Sequence, residues 1–432
     1  MVWFKDAMIV TMDEQAGVIH SGHLVTDGEK IVYVGKDEPK LIEKAEVINC
    51  QNQVIMPGLY NAHTHVPMTL LRSYGEELPL DRWLNERIFP AEDKLDADAV
   101  KWGAQLSMAE MLASGTVSFS DMYFFSDTII EAAIEAKIKG NVSQALVCFD
   151  EATLKDSGRL DSAMRLYREY HNRENERIKV DMAMHAIYTS NREYIKMVSE
   201  ETAHFDGMRH IHLSETEKEN VNCLARYQKT PTQVLFEAGW LKKPVLAAHC
   251  VHLTDADRAI LSQCGVHIAH NPTSNLKLGS GIADVDAMLK VGISVALGTD
   301  GCASNNNLNM FEEMHLCALV PKGLSKDPTK ITAKETLTMA TRNGAKAQGR
   351  DDCGMLKEGM RADLICIDFD RPHLTPNPDP LFNLVYCAQA ADVVLTMVDG
   401  EVLYKNGEFL TLDIEKIKAE ARRCAKKITA QE

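Results

Sequence analysis

Hydrophobic and polar positions change rhythm twice along the chain. Over the first fifty or so residues, short apolar runs are broken by turn-forming residues. Examples are Ala7-Met8-Ile9-Val10-Thr11-Met12, Gly22-His23-Leu24-Val25-Thr26-Asp27-Gly28 and Lys30-Ile31-Val32-Tyr33-Val34-Gly35. That texture predicts short strands. It returns in Ala362-Asp363-Leu364-Ile365-Cys366-Ile367-Asp368 and along Val393 to Tyr404. Two β-rich ends around one long middle predict a small β-sandwich domain built from both termini, residues 1–56 and 356–432. The Glu-, Lys-, Arg- and Ala-rich stretch 413–429 reads as a surface helix at the end of the second part.

In the middle, residues 57–355, short apolar runs alternate with stretches of helical periodicity, the pattern of repeated βα units and a parallel sheet. The strands are expected at Val54–His65, Thr116–Met122, Asn141–Phe149, Val180–Ile187, His210–Ser214, Val245–Cys250, His267–Asn271 and Ser294–Thr299. Helices are expected at Asp96–Ser114, Asp127–Lys139, Arg192–Phe205, Thr232–Ala238 and Asp255–Gln263. Eight strands with helices between them close naturally as a (β/α)8 TIM-type barrel, giving an α/β fold with the β-sandwich attached.

Composition narrows the partners. Of 432 residues, 45% are hydrophobic and 25% charged, ordinary globular values, and no stretch approaches the roughly 20 apolar residues that span a bilayer. A soluble chain with no membrane partner follows, and the absence of a secretory pattern at Met1–Asp6 predicts a cytoplasmic location. Lys plus Arg number 47 against 62 Asp plus Glu, a net charge of −15, which argues against nucleic-acid binding. The 11 cysteines are scattered without a Cys-x-x-Cys pair, so reduced, buried thiols are expected rather than disulfides or a thiolate metal site.

Chemistry enters where the strands end. Five of those eight strands finish in His, Glu or Asp, and a barrel places its active site at the strand C-termini. The first ends Asn61-Ala62-His63-Thr64-His65, where alternation aims both imidazoles the same way. The fifth gives His212-Leu213-Ser214-Glu215, the sixth Ala247-Ala248-His249-Cys250 and the eighth Gly298-Thr299-Asp300-Gly301. Three neutral imidazoles and a carboxylate suit a borderline divalent ion that also holds a water.

Pro57-Gly58-Leu59-Tyr60-Asn61-Ala62-His63-Thr64-His65 resembles the opening motif of the metal-dependent amidohydrolase superfamily, and the resemblance spans nearly the whole chain. It implies that His63, His65, His212 and Asp300 hold the metal, with Glu215, His249 and Asp300 handling protons during catalysis. His185 on the fourth strand stands where a bridging ligand of a two-metal site would sit, and Lys179 lies at the wrong end of that strand. The resemblance therefore implies one Zn2+ per subunit, with Fe2+ or Mn2+ also compatible, and His185 as a substrate contact alongside Glu215 and Asp300.

The segment from Pro67 through Trp83 to Glu92 is similar to the 5′-methylthioadenosine/S-adenosylhomocysteine deaminase branch, as are 270–281 and 302–310. That similarity implies hydrolytic deamination of the adenine ring of a small nucleoside, with Glu92 on the ribose hydroxyls and Trp83 as a pocket wall. Only Arg159 lies near the third strand as a partner for a carboxylate tail. 5′-Methylthioadenosine, S-adenosylhomocysteine, 5′-deoxyadenosine and adenosine thus all stay open, and a homo-oligomer is compatible with the sequence. The alternatives are an aminohydrolase or chlorohydrolase acting on guanine or a triazine and, remotely, an inactive scaffold.

Overall fold

The computed structural model describes residues 1–40, 44–149, 154 and 158–430. Eight parallel strands follow one another in sequence order around a barrel. They are β1 (Leu59–Thr64), β2 (Thr116–Tyr123), β3 (Lys139–Leu146), β4 (Ile178–Met184), β5 (Arg209–Leu213), β6 (Val245–His249), β7 (His267–His270) and β8 (Ser294–Leu297). Almost every residue in them is buried. Such burial is the rule for parallel strands covered by helices on the outside and by one another's side chains within.

The seam between β8 and β1 is closed largely by side chains. Asn61 Nδ2 donates to Thr299 Oγ1 at 2.7 Å and its Oδ1 accepts Thr299 N–H at 3.0 Å. The Asp300 N–H donates to the His63 carbonyl at 2.9 Å. Gly298 permits this approach, because a Cβ there would lie 2.4 Å from Asn271 Oδ1 and 2.8 Å from the His63 nitrogen.

The first expected strand, Val54–His65, is in fact two. Gln53–Pro57 pairs antiparallel with Leu364–Asp368 in a second sheet, and the chain crosses into the barrel at Gly58 before β1 begins. A Cβ at Gly58 would meet Val117 Cγ1 at 2.2 Å, so only glycine allows the crossing. The continuous apolar run hides the break, since a buried residue looks the same in either sheet. The second sheet is mixed and nine-stranded, and draws strands from both chain ends. Phe4, Leu24, Ile31 and Ile55 share one apolar core with Leu364, Leu395 and Met397.

The expected helical segments form Ala97–Ala113, Ser126–Ala136, Arg192–Glu201, Pro231–Glu237, Asp255–Gln263 and Ile414–Thr429. Several begin on side-chain caps that satisfy otherwise orphaned N–H groups, including Asp96 and the Thr230/Gln233 and Thr254/Asp257 boxes. The C-terminal helix buries Ile417, Ala421, Cys424 and Ile428, a stripe at helical spacing. All 11 cysteines are free, and no helix among the described residues is long and apolar enough to cross a membrane.

A buried ionic cluster fastens the barrel floor to the mixed sheet. Lys139, at the start of β3, is 1% exposed and pairs with Asp363 and, at 2.6 Å, with Asp399. Tyr60 donates its hydroxyl to Asp363 Oδ2 at 2.9 Å, and Arg361 lies 3.2 Å from Asp399. Burial lowers the affinity of Lys139 for its proton, but the carboxylates outweigh it and hold the ammonium charged. Asp399 keeps Arg361 and Arg177 if Lys139 is removed, whereas Asp363 is left with uncharged donors, the Tyr60 hydroxyl and the Asp399 N–H at 2.8 Å. Lys139→Met should therefore destabilise the fold by about 3–5 kcal/mol in urea unfolding, the effect of stranding a buried charge. A loss below about 1 kcal/mol would show that the two arginines carry the cluster.

Candidate metal and active site

The strand ends bring the sequence-predicted groups together at one mouth of the barrel. His63, His65 and His212 form one set of ligand atoms within 4.8 Å of one another, and His63, His249 and Asp300 form another. Asp300 Oδ1 lies 3.2 Å from His65 Nε2 and 3.4 Å from His63 Nε2. Several of these strands end in sharp left-handed turns built without glycine: φ is +49° at Ser214, +71° at His249 and +61° at Asp300. Such backbone is uncommon for residues with a Cβ and persists where surrounding contacts impose it. Here Cys250 N–H donates to Leu213 O, and Asp300 N–H to His63 O.

Tautomers decide what the imidazoles can do. His65 Nδ1 sits 2.5 Å from the Met122 carbonyl and His212 Nδ1 2.7 Å from the His185 carbonyl. A carbonyl only accepts, so each Nδ1 carries a hydrogen and each Nε2 is the atom turned to the centre. Those two Nε2 atoms face each other at 3.3 Å. His63 Nε2 is fully buried and has no hydrogen-bond partner. Imidazole nitrogens converging on a carboxylate need a positive charge among them, a proton or a metal ion, and three imidazoles with one carboxylate are a donor set that fits a divalent metal.

The charges follow. Burial pulls His63 down to about 4, against Asp300. Burial also disfavours charge on His65, yet its contacts with Asp300 and Asp121 hold it up at about 9. Burial works against ionised Asp300, but His63 and His65 keep it well below the usual carboxylate range. Its Oδ2 accepts hydroxyl hydrogens from Ser274 at 2.7 Å and Ser304 at 2.8 Å.

Above these groups opens a pocket lined by His65, Trp83, Glu92, His185, His212, Glu215, His249 and Asp300, with apolar walls from Met68, Leu84, Met122 and Leu278. Glu215 is buried, receives the Ser280 hydroxyl at 3.2 Å and lies 3.9 Å from His249 Nε2. His249 Nδ1 meets Asn275 Oδ1 at 2.9 Å. His185 is pulled down to about 3 by burial and by the neighbouring His65 and His63, so it is neutral. Glu92 accepts the Tyr123 hydroxyl at 2.6 Å, and burial pushes it up to about 7. Trp83 is both a pocket wall and part of an apolar core cluster. Beyond Glu92 and His185 the pocket adjoins a second cavity of about 660 Å³ lined by Phe124, Phe125, Val147, Phe149 and Arg159.

Sequence reasoning missed the supporting groups: Tyr123, Ser274, Asn275, Ser280 and Ser304, together with His210, whose Nε2 meets His63 Nδ1 at 3.0 Å, and Glu219, which accepts the N–H groups of Ser214 and Glu215. Ser274, Asn275 and Ser304 fall in the short helices Pro272–Lys277 and Cys302–Asn305, where the residue types predict loops, and Ser280 follows the first; the Asn, Ser, Pro and Gly content of 270–281 and 302–310 reads equally well as turn chemistry.

Residues 54–403 match the amidohydrolase family. The chain is 41% identical over 425 residues to a 5-methylthioadenosine/S-adenosylhomocysteine deaminase of Thermoanaerobacter pseudethanolicus, covering 98% of each. It is 43% identical over 430 residues to a 5′-deoxyadenosine deaminase of Methanosarcina acetivorans, covering 99% of this chain and 98% of that one. The fold superposes with a TM-score of 0.93 on the crystal structure of an adenosine deaminase from Xanthomonas campestris with bound zinc, at 31% identity over 99% of this chain and 98% of that one.

Glu313 ties the two supporting loops together, accepting Thr273 N–H at 3.1 Å and Asn305 Nδ2 at 2.7 Å. Burial pushes its carboxyl up to about 8 against those donors. The folded chain therefore holds this proton more tightly than the unfolded chain. The Glu313 contribution to stability is complete below the ordinary glutamate value and is lost as pH rises from there through about 8. Urea unfolding between pH 5.5 and 8.5 should show wild-type stability falling more steeply with pH than that of Glu313→Gln; parallel curves would contradict the assignment.

Proposed function

The chain belongs to the amidohydrolase family and hydrolyses carbon–nitrogen bonds of cyclic amidines, and from that premise we infer that it deaminates the adenine ring of 5′-substituted nucleosides. 5′-Methylthioadenosine, S-adenosylhomocysteine and 5′-deoxyadenosine are the substrates this reading favours, with release of ammonia and the inosine analogue. The observation that carries it is the convergence of His63, His65, His212 and Asp300 beneath a pocket holding Glu215, His249 and Glu92.

A divalent cation held by His63, His65, His212 and Asp300 would, when bound, supply Lewis-acid activation of a water for attack at the ring carbon C6. Zinc, one per subunit, is the ion that the similar zinc-bound structure and the imidazole–carboxylate donor set favour. Asp300, ionised and steadied by two serine hydroxyls, takes a proton from the attacking water. His249 holds that proton path on its Nε2 side, with its ring fixed by Asn275. Glu215 delivers a proton to N1 as the oxygen adds at C6. The proton held by Asp300 then passes to the exocyclic amine, which leaves as ammonia, and the hydrogen on the C6 oxygen returns to Glu215 as the C6=O bond forms.

In this reading Glu92 accepts from the vicinal ribose hydroxyls, Trp83 and His185 bound the nucleoside, and the adjoining cavity takes the 5′ substituent; all three residues line the pocket, which supports it. Guanine or a triazine has no diol for Glu92.

Zinc-loaded protein should release ammonia from the three nucleosides and from adenosine, but not from free adenine or guanine. Glu215→Gln should lower kcat by about 10²- to 10⁴-fold with little change in KM. Activity confined to free bases would overturn the reading. Glu92→Ala should raise KM by about 10- to 100-fold, the effect of losing hydrogen bonds to a charged group. The wild type should also discriminate against a 2′-deoxynucleoside and Glu92→Ala should not; unchanged discrimination in the variant would place the ribose elsewhere.

A further inference from the structure

Strand β5 ends where Glu215 must be aimed, and the turn that aims it has no glycine. Ser214 sits at φ +49°, and the chain there has left the sheet, so the backbone N–H groups of 214 and 215 have no ladder partner. Both are taken by one carboxylate: Glu219 Oε1 accepts Ser214 N–H at 3.2 Å and Oε2 accepts Glu215 N–H at 2.9 Å. Glu219 lies in the first turn of the helix Glu217–Tyr227, whose cap is Thr216, and is 4% exposed. The carbonyls of the same turn are held from the other side, Leu213 O by Cys250 N–H and Ser214 O by His252 N–H, each at 2.9 Å. The N–H groups of 214 and 215 and the carbonyls of 213 and 214 are thus held, and Glu219 supplies both partners of the N–H groups.

Resting on the deaminase reading above, we propose that Glu219 is a positioning residue for the reaction: its carboxylate, accepting two successive N–H groups, fixes the Ser214–Glu215 turn and so the direction from which Glu215 delivers its proton. It never touches the substrate, as it lines no part of the pocket. A carboxylate is the side chain suited to this task, because both of its oxygens accept. A glutamine of the same size would turn an NH₂ group toward one of the two N–H donors. Burial pushes Glu219 up to about 8 against the two N–H groups, which favour the anion; glutamine mimics the protonated group, so comparing the two proteins across that pH asks whether the anion is required. The remaining restraint on the Glu215 carboxyl is the Ser280 hydroxyl at 3.2 Å, a contact from a different loop that cannot correct a turned backbone.

The test compares Glu219→Gln with wild type and with Glu217→Gln, an exposed control on the same helix, using zinc-loaded protein and 5′-methylthioadenosine. Expected for Glu219→Gln is a fall in kcat of up to about 100-fold, the scale of an ångström-sized misplacement. KM should stay within twofold and zinc content unchanged, and the pH profile of kcat should be displaced, because the proton donor is the group disturbed. Glu217→Gln should match wild type. Wild-type kcat in Glu219→Gln would overturn the proposal. So would a loss in which kcat, KM and zinc content fail together, which marks a merely structural role. If Glu219→Gln does not fold, Glu219→Asp, which keeps the charge but falls one methylene short of the turn, is read by the same criteria. Failure of the wild type itself to release ammonia from the nucleoside would instead count against the deaminase reading.

Discussion

Closure of the barrel between its first and last strands is the constraint on which the rest depends. β8 reaches β1 through the two hydrogen bonds of Asn61 to Thr299 and through Asp300 N–H on the His63 carbonyl. Without that seam Asp300 would end a free edge; with it, the carboxylate is brought within 3.4 Å of two imidazoles. The same contact holds Asp300 in left-handed backbone, so the closing bond and the aiming of the carboxylate are one event.

The two faces of the barrel are built on opposite principles. At the floor, Lys139 is charged and its ammonium is enclosed by Asp363 and Asp399. At the mouth, imidazoles converge on one carboxylate, and among the described residues no lysine or arginine lines the pocket with them. A satisfied buried cluster fixes the mixed sheet to the barrel, while the one at the mouth offers a donor set that fits a metal. Backbone carbonyls at Met122 and His185 make the difference, because by accepting from Nδ1 they turn each ring's other nitrogen outward as a ligand.

Around that centre, support comes from pairs of loops tied by buried carboxylates. Glu313 joins the loop after β7 to the one after β8, and Glu219 holds the turn after β5. Each carboxylate stands on a helix outside the barrel, so the rigidity of the helical layer is transmitted to strand ends that the sheet alone cannot hold.

The alternating pattern of apolar runs and helical stretches was enough to determine eight βα units, and residue type at the strand ends was enough to single out His63, His65, His212, Glu215, His249 and Asp300, because period and strand direction are local properties of the chain. The break at Gly58 was not legible, since Val54–His65 is apolar on both sides of it and the steric contact that demands glycine comes from Val117, far along the chain. Nor were Tyr123, Ser274, Asn275, Ser304 and Glu219, whose roles are hydrogen bonds across up to 31 residues or between separate loops. Which imidazole nitrogen faces the centre, and that Asp300 lies against His63 rather than 237 positions away, was decided only by the closed barrel. Tautomer and proximity depend on what the other strands bring alongside, and no stretch of sequence contains its own neighbours in space.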